Sequence, residues 1–152
     1  MVEMLAQRYL KKGGVRRPPV PTGIVSLADK QHPIEVRVVS LKVYHGAIWQ
    51  LNGSWIIQLR NDDTPATQRV TLFHEAFHIL AHRRTTPVFR KRETIQGSFN
   101  ELLATYFADC ILMPGGWVIE KWAEVKDLDR MAEIFEVPKP AMCIRLKRLG
   151  LI

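Results

Sequence analysis

The chain has 152 residues, 47% of them hydrophobic and 24% charged, with a formal net charge of +7. That length suits one domain, which buries about two-thirds of its unfolded surface and needs no disulfide framework. The composition is that of a soluble globular protein. No apolar run reaches the roughly 20 residues that a membrane span requires.

Taken in chain order, residues 1–12 fit a short amphipathic helix with Leu5, Tyr9 and Leu10 on its apolar side, stopped by Gly13-Gly14. Glu3 and the broken apolar pattern are unlike a signal peptide, so a cytoplasmic location is expected. Arg17-Pro18-Pro19-Val20-Pro21 is a stiff connector, and residues 23–31 read as a short helix. The period then changes to two, with Ile34, Val36 and Val38 alternating along a strand. Residues 41–51 and 54–60 form two further strand-like runs around Asn52-Gly53, a strong hairpin signal because both residues tolerate positive φ. A small sheet of about three strands follows from these runs.

Asn61-Asp62-Asp63-Thr64-Pro65 is loop chemistry, after which residues 66–82 are helical and strongly apolar. Residues 83–97 read as a basic loop and residues 98–113 as a second helix ending at Pro114-Gly115-Gly116. Short helices are expected at 117–125, 127–136 and 139–148. The fold class is α+β. The expected organisation is a single domain, with an N-terminal helix and connector at 1–22, the sheet and two long helices at 23–114, and a helical tail at 115–152.

Cys110 and Cys143 lie far apart in apolar helical patterns and read as buried free thiols, which suits a reducing compartment. The positive charge clusters at Lys11, Lys12, Arg16 and Arg17, at Arg83, Arg84, Arg90, Lys91 and Arg92, and at Lys139, Arg145, Lys147 and Arg148. These clusters read first as solvated faces, because no aromatics interleave them as a base-stacking surface would need. Weak DNA binding is the other reading of the same charge.

The segment Leu72-Phe73-His74-Glu75-Ala76-Phe77-His78 carries HExxH within the first long helix. Residues four apart differ by about 40° around a helix and about 6 Å along it, so His74 and His78 share one face. Two imidazoles so placed can bind one Zn²⁺, and Glu75, the next residue, is placed to act as general base on water. The surrounding apolar residues make these polar groups costly unless they are liganded or paired.

A catalytic zinc site takes three protein ligands and keeps a fourth position open. His82 continues the same face but lies about 12 Å from His74 along the axis, too far to share the ion. Glu101, the lone acid in an apolar and small-residue run, is either the third ligand or an N-terminal helix carboxylate stabilised by the dipole. Glu93 is the reserve candidate. For the group that stabilises the oxyanion, Tyr106 and His82 are candidates.

Residues 67–75, followed by Asn100-Glu101, Ala104, Phe107-Ala108 and Leu112-Met113-Pro114, resemble the ImmA/IrrE family of metallopeptidases. The C-terminal run from Phe135 to Leu151 resembles that family's short helix-turn-helix-like tail, and the likeness spans roughly residues 25–152. The resemblance implies a zincin-like core with His74, His78 and Glu101 as zinc ligands and Glu75 as catalytic base. It implies as substrates DNA-binding regulators, often helix-turn-helix repressors of phage or mobile elements, cut to release transcription. The chain departs from the family at Thr105, where Asn is frequent, at Gly115-Gly116, and at Ala76-Phe77 within the motif. The rival expectations are a metal-binding regulator that binds DNA or a repressor without cutting it, and a zinc that only staples two helices.

Overall fold

Asn52 and Gly53 have φ of 50° and 77°, so the hairpin turn is of the type that matches strand twist. It joins β2 (Gly46–Leu51) to β3 (Ser54–Arg60) in antiparallel register, with Leu51 opposite Ser54 and Gly46 opposite Leu59. The computed structural model describes residues 1–82 and 95–152. Its mixed sheet has the order β1-β3-β2, with β1 (Ile34–Val39) parallel to β3.

Ahead of the sheet come α1 (Val2–Lys12) and a 3-10 helix (Thr22–Ala28). Behind it come α2 (Pro65–His82), α3 (Ile95–Leu112), α4 (Gly115–Val125), α5 (Leu128–Phe135) and α6 (Lys139–Arg148). The α+β class expected from the sequence is the observed one. Among the described residues no single helix is long and apolar enough to cross a membrane.

Local chemistry sets the helix ends. The Thr64 hydroxyl accepts from Thr67 N at 3.2 Å and Pro65 takes the first helical position, so α2 starts where the polar loop ends. Asp127 caps α5 by accepting from Arg130 N at 2.8 Å. The helix α3 packs between α2 and α1. Its buried stripe Ala104, Phe107, Ala108 and Ile111 meets Phe73 and Phe77 of α2 on one side and Tyr9 of α1 on the other. The Tyr9 hydroxyl donates to Val25 O at 3.2 Å, and burial pushes its pKa up.

Several expectations are corrected. The strand read at 41–51 begins only at Gly46, because β3 ends at Arg60, opposite His45, and earlier residues have nothing to pair with. Val36 and Val38 point to the sheet face that carries Ile57 and Leu59, yet both are exposed. Helix α2 lies under β3 and β2, so the core stops short of the edge strand β1. Residues 95–97 are helical, not loop. One Gly inside a helix costs about 1 kcal/mol, which α3 tolerates at Gly97. The remainder of the expected basic loop, including Glu93, lies outside the described residues. Cys110 is buried as expected, whereas Cys143 is half-buried.

Arg145 belongs to no solvated face. It is 2% exposed, and its Nε donates to Met113 O at 2.9 Å while Nη2 donates to Glu3 Oε1 at 3.3 Å. The guanidinium thus satisfies a carbonyl just past the end of α3 and ties α6 to α1.

Gly46 marks the closest approach of β2 to α2. A Cβ there would collide with Thr71 Cγ2 and lie 3.1 Å from Gln58 O and 3.5 Å from Glu75 Cγ. Gly46→Ala should therefore lower unfolding stability by about 1–3 kcal/mol in urea titrations. Thr71→Ser, which removes the colliding methyl and keeps the hydroxyl, should recover part of that loss. An unchanged midpoint for Gly46→Ala alone would contradict this packing.

Candidate metal centre

His74 and His78 project from one face of α2, and Glu101 comes from α3, whose Ala104 and Ala108 are wholly buried against its neighbours. Glu101 Oε2 lies 2.9 Å from His74 Nε2, and Oε1 lies 2.8 Å from His78 Nε2. The two Nε2 atoms are 3.3 Å apart. One ligand atom from each of the three residues falls within 4.8 Å of the others, a group able to hold a metal ion.

Hydrogen bonds with His74 and His78 hold the Glu101 carboxyl well below the usual range, so it is an anion at neutral pH. Two imidazole nitrogens facing each other this closely repel unless a proton or a cation lies between them. Two nitrogens and one carboxylate form a donor set suited to zinc and neighbouring transition metals.

Thr105 lies one turn after Glu101 on α3. Its Oγ1 donates to Glu101 O at 3.0 Å and lies 3.3 Å from His74 Nδ1. With its single proton directed at the carbonyl, the hydroxyl is left to accept from Nδ1–H. That leaves Nε2 of His74 as the coordinating nitrogen. The departure from the family pattern at this position therefore still supplies a partner for the histidine. Its spacing, four residues from Glu101, was the available signal.

Glu75 is 4% exposed and sits where Gly46 brings β2 against α2. Glu75, His78, His82 and Glu101 open onto a cleft of about 400 Å³, whose other wall is β2 together with Trp55. In an antiparallel ladder, opposite residues alternate between bonded and unbonded pairs. The two-residue turn makes Leu51–Ser54 a bonded pair, and Arg60 N donates to His45 O at 2.9 Å in the same phase. Gly46, Ile48 and Gln50 thus direct their backbone N–H and C=O groups away from β3, toward the cleft.

The structure brings together His74, Glu75, His78 and Glu101. His82 lines the cleft but stands apart from the triad, consistent with the helical spacing. Tyr106 faces elsewhere. The Arg148 guanidinium lies 5.6 Å from the Tyr106 ring centroid, and Tyr106 is not among the residues that line the cleft. Sequence reasoning overlooked Gly46. Its signal was a glycine at the mouth of a strand, which marks a close backbone approach.

The model of the IrrE N-terminal-like domain, Peptidase_M78, matches residues 29–147. A solved structure described as a Mycobacterium tuberculosis transcriptional regulator superposes with a TM-score of 0.73 at 15% identity. The match covers 96% of this chain but only 46% of that one, and at this identity the likeness is one of fold. No curated protein matches the chain. The family match takes in the sheet, both helices that carry the metal-site residues and most of the helical tail, and on that ground the chain belongs to the ImmA/IrrE family.

Proposed function

We propose that the chain is a cytoplasmic, single-domain, zinc-dependent endopeptidase that cuts a regulatory protein, with helix-turn-helix repressors of mobile elements as its substrate class. The observation that carries this reading is the convergence of His74, His78 and Glu101 within 4.8 Å, next to the buried carboxylate of Glu75, with Glu75, His78 and Glu101 open to one cleft.

In this reading His74, His78 and Glu101 would hold zinc beside the cleft, while Thr105 orients the His74 ring. Zinc, when bound, supplies Lewis acidity to the scissile carbonyl and acidifies water. Glu75 takes a proton from the attacking water at its carboxylate and returns it to the leaving amine nitrogen. The free edge of β2 receives the substrate as an added strand, its outward N–H and C=O groups at Gly46, Ile48 and Gln50 pairing with the peptide backbone. The family membership supports this reading, and a structural neighbour that is a transcriptional regulator agrees with a regulatory role.

The second reading is a regulator that binds DNA or a repressor without cutting. The exposed Lys11, Lys12, Arg16 and Arg17 favour it. The helical tail does not, because residues 115–152 carry seven cations against six acids. A salt-sensitive DNA mobility shift indifferent to Glu75 would establish it.

Purified wild type should contain one zinc per chain, and His74→Ala and Glu101→Ala should each lose it by atomic absorption. Retention in Glu101→Ala would move the third ligand elsewhere. Thr105→Val should weaken zinc about 10–100-fold in chelator competition, with Thr105→Ser close to wild type. Glu75→Gln should keep its zinc yet lose about 10²–10⁴-fold in the cleavage rate of a repressor, scored on gels. Cleavage at the wild-type rate by Glu75→Gln would sink the mechanism.

A further inference from the structure

The cleft has a second polar group that the proposed hydrolysis leaves unused. His82, at the end of α2, lines it without reaching the triad. The ring of His82 meets Trp55 edge-on, with centroids 5.2 Å apart and planes at 83°. Trp55 is itself immobilised. It is 2% exposed, and its Nε1 donates to Asp29 Oδ2 at 3.0 Å.

Asp29 is 5% exposed and is held by further bonds. Its Oδ1 accepts from Gln31 N at 2.9 Å and His32 N at 3.2 Å, and its Oδ2 pairs with His32 Nδ1 at 2.8 Å. A buried carboxylate thus fixes an indole, and the indole braces an imidazole at the cleft wall.

The position of His82 along the cleft follows from two registers. At one end Gly46 of β2 touches Thr71 and Glu75 of α2. At the other end Gln50 of β2 lies opposite Trp55, against which His82 packs. Strand β2 and helix α2 therefore run side by side, with the cleft between them. His82 follows His78 by one turn, about 6 Å. An extended peptide advances about 3.3 Å per residue, so this offset is about two residues. A peptide pairing antiparallel with β2, the slightly stronger of the two arrangements, has its N-terminal side at Gln50 and His82.

We propose that His82 is a substrate-binding residue that donates a hydrogen bond to the peptide backbone about two residues N-terminal to the scissile bond, and that Trp55 and Asp29 are its positioning residues. This rests on the endopeptidase reading and adds to it a requirement for substrate length on one side of the cut. A backbone contact of this kind selects an extended, unfolded segment and is indifferent to its side chains.

The test uses zinc-loaded full-length protein and two probes, with affinities from calorimetry. Acetohydroxamate reaches only the metal, whereas acetyl-trialanine hydroxamate also lies along the N-terminal half of the cleft. Wild type should bind the longer probe more tightly. His82→Ala should lose about tenfold of that gain, the worth of one hydrogen bond, with acetohydroxamate affinity unchanged. His82→Gln, which keeps a donor, should restore most of it. Trp55→Phe, which loses the bond to Asp29 and keeps a ring, should fall between. A full length-dependent gain in His82→Ala, or no gain in wild type, would overturn the assignment. A wild type that binds neither probe would defeat the metal site itself, and the inference with it.

Discussion

Three side chains from two helices can share one ion only if the helix axes lie close, and the small residues of α2 and α3 permit that. Ala76, Ala104 and Ala108 are at most 1% exposed, and side chains this small let the two helices approach closely at those positions. Phe73, Phe77 and Phe107 fill the space along the same contact. Glu101 then falls across the His74–His78 face at hydrogen-bonding distance. A larger residue at Ala104 would displace Glu101 along with the helix, since interiors at this packing density transmit strain.

That contact is braced from the far side. The helix α1 covers α3 through Tyr9, which stacks edge-on against Phe107 at 6.1 Å. Arg145 from α6 bonds the carbonyl of Met113 and reaches Glu3 of α1. Arg69 of α2 donates to Val20 O at 2.7 Å and Glu136 O at 3.0 Å, tying the connector and the α5–α6 turn to the other metal-site helix. The N-terminal and C-terminal helices are therefore part of what holds the candidate site rigid, and a site held this way costs little reorganisation when it binds.

The sheet contributes through its edge. Because β3 is central and β2 lies on the cleft side, alternate backbone groups of β2 have no strand partner among the described residues along the cleft. Gly46 lets this strand touch α2 at Glu75, while Trp55 and His82 close the other end. The cleft thus runs along the edge of β2 with a carboxylate at one end and an imidazole at the other.

How much of this was legible beforehand depended on range. The helical face of His74 and His78, the Asn52-Gly53 turn and the capped start of α2 arise from local chain chemistry, where spacing alone sets geometry. The sequence by itself therefore determined the elements and two of the proposed ligands, with Glu75 between them. The tertiary structure decided whatever depends on contacts distant in the chain: which acid meets the two histidines, the parallel pairing of β1 with β3, and the burial of Arg145 against the end of α3. It also separated His82 from Tyr106, since both sat in suitable apolar helices and only packing turned one into the cleft and the other toward Arg148. Periodicity says which face a residue occupies, but what lies opposite that face is chosen by packing between segments that no local signal connects.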